Sequence, residues 1–162
     1  MDLRKELYYP TNTIITKEDI TKLANKLLDT SWKVGNSILN LEYSGWTFGF
    51  NKRKSAGGIC NFRTKTISLS LHYLEQNLDK SSKWEDIIRH EIAHALDMMI
   101  RGKSNHDRHW KHVARTILCS AKVTFSEEDL SDTKKSKYTL TCPTCNDSFP
   151  SHRKKNPNKR SK

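Results

Sequence analysis

What the chain lacks narrows it first. It holds 4 cysteines in 162 residues, and only Cys142 and Cys145 stand close together. That spacing is no disulfide framework, and a Cys-x-x-Cys pair of reduced thiols favours metal. No apolar run approaches the roughly 20 residues that span a bilayer. No apolar stretch follows Met1-Asp2-Leu3-Arg4-Lys5, so neither a signal peptide nor a transmembrane helix is expected. The expected location is intracellular: cytoplasm, nucleoid or nucleus. Hydrophobic residues make up 35% of the chain, enough for one good core without surplus. Two parts are expected, one domain over residues 1–133 and a small module over residues 134–162.

Acid is the other scarcity. Asp and Glu number 18 against 29 Lys and Arg, a net charge of +11, and the imbalance is local. Residues 134–162 carry nine cations against Asp147 alone. Among them are Lys134, Lys135, Lys137, Arg153, Lys154, Lys155, Lys159 and Arg160. A basic segment interrupted by Pro and Asn, without apolar periodicity, is expected to be flexible and suits phosphate neutralisation through counterion release. Nucleic acid is the natural partner, and a merely solvating tail is the plainer alternative. A second basic cluster, Lys52-Arg53-Lys54, sits on an expected turn.

The most informative residues are His90-Glu91-Ile92-Ala93-His94. Two histidines four apart lie one turn above each other on a helix face, so both imidazoles can reach one metal ion, and the glutamate between them can act on a metal-bound water. Ser82 with Glu85 reads as a capping box. Ile87, Ile88, Ile92, Ala95, Leu96, Met99 and Ile100 then recur at helical spacing until Gly102, which predicts a helix over 83–101. Histidines and a carboxylate beside an apolar face are costly unless something ligates or hydrogen-bonds them. A chance match is the bland alternative, and the helical setting weighs against it.

A hydrolytic zinc site needs a third protein ligand and an open position. Residues 105–112 hold three of the chain's 7 histidines: His106, His109 and His112. The metzincin pattern fails, because it needs Gly at 97 and His at 100, where Asp97 and Ile100 stand. Glu127 or Glu128 would be the thermolysin-like choice, and a histidine is the better one. Gly102 to Asn105 reads as a loop. Asp107 to Leu118 reads as a helix with Trp110, Val113, Ala114, Ile117 and Leu118 on its apolar side. His106 then stands at the N-terminal edge of that helix and can point back at the first, while His109 and His112 read as surface or packing histidines. Upstream, residues 45–51 and 59–71 read as a hairpin turned through 51–58, with Ile67 and Leu69 alternating as in a half-buried strand. Cys60, without a partner cysteine nearby, reads as a small buried residue.

These pieces together resemble the SprT-like (Spartan-type) metalloprotease family. A helix around Thr16 to Leu39 precedes Trp46-Thr47-Phe48-Gly49-Phe50-Asn51. Ala56-Gly57-Gly58-Ile59-Cys60 is similar to the family's AGxC strand, and Lys65-Thr66-Ile67-Ser68-Leu69-Ser70 to its xIxLS strand. The HExxH helix and His106-Asp107-Arg108-His109-Trp110, similar to the H(G/D)xx(W/F) element, follow in order. Tyr138, Cys142-Pro143-Thr144-Cys145, Phe149, His152 and Arg153 are similar to the first half of its zinc ribbon. The likeness spans roughly residues 15–153.

The resemblance implies an α+β fold: a zincin-like, minigluzincin-type core with a small three-stranded sheet packed on helices, then a partial zinc-ribbon-like segment and a basic tail. It implies His90, His94 and His106 as zinc ligands and Glu91 as general base, taking a proton from the zinc-activated water and passing it to the leaving amine. Cys142, Cys145 and His152 are the candidates for a second, structural zinc, although the ribbon's second half is missing. The family would set the Ile67–Leu69 strand at the lip of the cleft, where an exposed edge pairs with substrate. Arg108, Tyr73 and His109 are candidates to stabilise the oxyanion, and Asp97 and Asp107 to support the ligand histidines. The expected activity is proteolysis of DNA-bound or DNA-crosslinked proteins. The alternatives are a DNA-binding adaptor with a structural zinc, and a zinc peptidase unrelated to nucleic acid.

Overall fold

Thr16 opens the first helix, α1 (Lys17–Leu28). Its hydroxyl accepts from the Asp19 N–H, and the Asp19 carboxylate accepts from the Thr16 N–H, so two otherwise orphaned donors are satisfied reciprocally. Ile20, Leu23, Ala24, Leu27 and Leu28 form its buried stripe. The computed structural model describes residues 15–54, 56–76, 81–121, 138–141 and 148–151. Two compact units divide the chain, residues 1–129 and 130–162.

The helix expected to run to Leu39 stops at Leu28, where Asp29 caps it. Residues beyond form an antiparallel hairpin of β1 (Trp32–Val34) and β2 (Ser37–Leu39). The reason lies in the period: Trp32 and Val34 are buried around an exposed Lys33, the alternation of a strand. Gly35 then turns at φ +58°, a conformation that glycine adopts without steric cost.

The main sheet comprises β3 (Thr47–Asn51), β4 (Gly58–Asn61) and β5 (Thr66–Ser70), in the order β3-β5-β4. The hairpin expected between residues 45–51 and 59–71 is therefore not one hairpin. β3 pairs parallel with β5, and the true hairpin joins β4 to β5. The loop after β3 crosses the end of β5 instead of turning back: the Ser70 N–H donates to the Gly57 carbonyl, and the Ser70 hydroxyl to the Arg53 carbonyl. Parallel pairing always requires such a crossing connection. β5 is thus interior, with Ile67 and Leu69 buried, and both its edges are taken. Among the described residues, the edge on the helix side belongs to β4, not to the Ile67–Leu69 strand.

A short helix, α2 (Leu71–Gln76), follows β5, and then α3 (Ser81–Arg101). Ser82 falls inside its first turn, so it is not the cap. Trp84, Ile87, Ile88, Ile92, Ala95 and Leu96 are buried, while Met99 is exposed at 36%, off the core face on which its spacing had put it. Gly102, at φ +68°, donates its N–H to the Met98 carbonyl and ends the helix. α4 (Arg108–Thr116) is capped by Asp107, whose side chain accepts from the Trp110 N–H. Trp110, Val113, Ala114 and Ile117 are buried, but Leu118 lies past the helix end at φ 62° and is exposed.

Two arginines of α3 fasten α4 at its two ends. Arg89 donates to the Ile117 carbonyl and Arg101 to the Asp107 carboxylate, so the helices run antiparallel. In the second unit, β6 (Tyr138–Thr141) and β7 (Ser148–Ser151) pair antiparallel with Leu140 opposite Phe149. Cys142, Cys145, His152, the basic residues of 134–137 and 153–160, and Glu127 and Glu128 lie outside the described residues. No helix among the described residues is long and apolar enough to cross a membrane.

Candidate metal centre

His90 and His94 lie on one face of α3, their ring centroids 5.0 Å apart. His106, just before the cap of α4, reaches back so that its Nε2 is 3.0 Å from the Nε2 of each. The three donor atoms lie within 4.8 Å of one another. Four-coordinate zinc with bonds of roughly 2.0–2.1 Å separates nitrogen ligands by about 3.3 Å, so the triangle has the size such an ion needs. Burial pushes His94 down to about 3, helped by His90 and His106 beside it. His106 is lowered by burial and by Lys111. Both shifts favour the neutral imidazole, which is the ligand form. The residues present therefore fit a divalent metal ion.

Trp110 closes the cluster from one side. Its indole is fully buried, stacks on His94 at 4.9 Å and meets His90 and His106 at 4.6 and 4.5 Å. One aromatic plane thus restricts the rotamers of all three imidazoles.

Behind the histidines sits a polar network centred on Asp97, which has no exposed surface. Arg101 grips both Asp97 oxygens at 2.7 and 2.6 Å and also holds Asp107. His109 Nδ1 lies 2.7 Å from Asp97 Oδ1, and Ser104 Oγ lies 2.8 Å from His94 Nδ1. Burial raises the Asp97 carboxyl, but hydrogen bonds from Arg101, His109 and Ser104 outweigh it and the net shift is downward. Asp97 therefore stays ionised. Asp107 is held down to about 2, chiefly by Arg101.

Glu91 joins α3 to the β4 edge. Glu91 is 8% exposed, and its carboxyl is pushed up to about 8 by burial, partly opposed by the Cys60 backbone N–H. Gly58 is what lets it lie there. A Cβ on Gly58 would come within 2.7 Å of Ile87 Cγ2, 2.8 Å of Glu91 Cγ and 2.9 Å of Glu91 Oε1, closer than side chains tolerate. Cys60 is half-buried and free, and burial, with Glu91 adding, pushes its thiol far above the ordinary value. It stands outside the histidine cluster.

The candidate oxyanion groups fare differently. Tyr73 is 2% exposed, its hydroxyl buried and raised by burial and by Asp86, so it faces the core. His109, read from sequence as a surface or packing residue, is committed to Asp97. Arg108 is exposed and lines an open depression with Asp107, His109 and His112. Sequence reasoning missed Ser104 and the steric role of Gly58. The signal for Gly58 was the glycine pair before Ile59-Cys60; Ser104 left none.

A small mixed sheet, a helix carrying two of three convergent histidines, and a buried acid between helix and edge strand define an α+β protein consistent with a zincin-like metalloprotease core. The chain belongs to the SprT-like family, whose model matches residues 19–134, and with that membership goes a metalloprotease function at the level of the family. No curated protein and no solved structure matches the chain.

Proposed function

We propose that this protein is a zinc-dependent endopeptidase acting on proteins bound or crosslinked to DNA. The observation that carries the proteolytic part is the convergence of His90, His94 and His106 through their Nε2 atoms, with Glu91 on the same helix. Zinc, when bound, acts as a Lewis acid that polarises a carbonyl and brings the pKa of water near neutrality. His90, His94 and His106 hold it, and Trp110 keeps their rings in place. Glu91 serves as general base and then acid, taking a proton on its carboxylate and delivering it to the leaving amine. Its elevated pKa suits the return of that proton, and a cation at the histidines draws the value down towards the charged form that accepts it. Among the described residues β4 is an edge strand, and its outer side, beside Glu91, is the place for a substrate backbone to pair as an added strand, which reads main chain more than side chains.

The DNA part rests on charge. Lys52, Arg53 and Lys54 are all exposed on a loop whose backbone is held by the Asn51 side chain and the Ser70 hydroxyl, a short way before Gly58. The cations of residues 134–162 supply the larger attraction, and with Cys142, Cys145 and His152 as ligands that segment would take a second zinc.

The test is digestion of a basic DNA-binding protein by the zinc-loaded chain with and without DNA. The expected result is DNA-stimulated cleavage that Glu91→Gln abolishes. Replacing Arg153, Lys154, Lys155, Lys159 and Arg160 with Gln should remove the stimulation and leave peptide cleavage. A filled zinc site without cleavage would turn the reading to a DNA-binding adaptor, and DNA-independent cleavage to a peptidase unrelated to nucleic acid.

A further inference from the structure

The Asp97 carboxylate has only acceptors to offer and is already gripped by the Arg101 guanidinium through both oxygens. Ser104 Oγ lies 2.8 Å from His94 Nδ1, a hydrogen bond in which either atom can donate, depending on the imidazole tautomer. With a metal ion on the Nε2 that faces His106, that nitrogen would be bare, the imidazole proton would sit on Nδ1, and the Ser104 oxygen would accept it. This is the tautomer a metal requires at Nε2.

We infer that Ser104 is a positioning residue for the metal centre, fixing His94 as the Nδ1–H tautomer with its ring aimed at the metal. The arrangement also ties the third ligand to the first two. The loop from Gly102 to Asp107 carries both Ser104 and His106, and Arg101 bridges Asp97 to Asp107 beside His106. Asp97 thereby holds, through Arg101 and Asp107, the loop that delivers both Ser104 and His106. Outer partners of this kind commonly change metal affinity by about 10–100-fold.

The inference rests on the zinc reading of the site, and the experiment separates the two. Zinc affinity is measured by chelator competition on the full chain for wild type, Ser104→Ala, Ser104→Thr and Asp97→Asn. Melting without zinc is followed in parallel, with the solvent exchange of the His94 Nδ1 proton by nitrogen-15 NMR at neutral pH. Ser104→Ala is expected to weaken zinc binding by about 10–100-fold with melting unchanged, and to release the slowly exchanging Nδ1 proton. Ser104→Thr, which keeps the hydroxyl, is expected to restore both. Asp97→Asn is expected to weaken zinc binding as well, through the loop that Arg101 and Asp107 hold. If wild type binds zinc and Ser104→Ala binds it within about twofold with the Nδ1 proton still protected, the inference is overturned and the zinc reading stands. If wild type takes up no zinc at the histidines, the zinc reading itself falls.

Discussion

Helix α3 carries two ion pairs of identical spacing, Glu85–Arg89 and Asp97–Arg101, and they do different work. In each, an acid precedes an arginine by four residues, the favourable order on a helix, and in each the arginine reaches across to α4. Arg89, 4% exposed, ends on the Ile117 carbonyl. Arg101 ends on Asp107, and its partner Asp97 also meets His109. The first pair is a structural bolt at the far end of α4. The second is the same bolt placed beside the loop that carries His106. Identical local sequence logic thus fastens α4 at one end of the helix and braces the histidine cluster at the other, and the difference comes from what the neighbouring loop brings in.

The comparison can be broken most severely by leaving both bolts intact and removing the acid between them. Glu91→Gln should cut proteolysis by about 10²–10⁴-fold while zinc content and melting temperature stay at wild-type values; retained proteolysis in the zinc-loaded variant would remove Glu91 from the chemistry. Breaking one bolt at a time comes next. Glu85→Ala strands the buried Arg89 and should cost about 3 kcal/mol of stability, read by urea unfolding, with zinc affinity unchanged. Asp97→Asn should do the reverse in emphasis, losing about 10–100-fold in zinc affinity. Equal effects of the two variants on zinc would mean that the ends of the helix are not specialised.

Gly58→Ala sharpens the picture from the strand side. The added Cβ collides with Glu91 and Ile87, so the glutamate must move. A displacement of about 1 Å in a catalytic group can cost on the order of 100-fold, so kcat should fall with KM and zinc content preserved. A variant with full kcat would show that Glu91 tolerates the shift. The smallest effect concerns acid. The folded pKa of Asp107, about 2, is below its ordinary value near 3.9, so its contribution to stability is complete above about pH 4 and fades as pH falls towards 2. In zinc-free protein, Asp107→Asn, which keeps a capping side chain, should flatten the fall in melting temperature over that window and change little at neutral pH.

Much of the site was legible because its signals are local. HExxH, the apolar stripe of α3 and the start of α4 at Asp107 all lie within a helical turn or two of what they govern. His106 could be set at the edge of α4 for the same reason. The sheet order was not legible: residues 45–51 and 59–71 have the composition of a hairpin, and only the bonds from Ser70 to Gly57 and Arg53 show that the chain crosses over the end of β5. Trp32 and Val34 were absorbed into a helix because a three-residue strand is too short for period two to stand out. Ser104 and His109 stayed hidden because their partners, His94 and Asp97, sit a helix turn or two and a loop away. Gly58 was recognised as part of a motif, but the close approach of α3 that makes glycine necessary there is a packing fact.

The central claim is that His90, His94 and His106 hold one zinc. Its most direct test is metal content by mass spectrometry of the purified full chain beside His106→Ala. The account predicts one zinc fewer per chain in the variant than in wild type, with melting of the metal-free proteins alike. Equal zinc in the two proteins, or none in either, would contradict it.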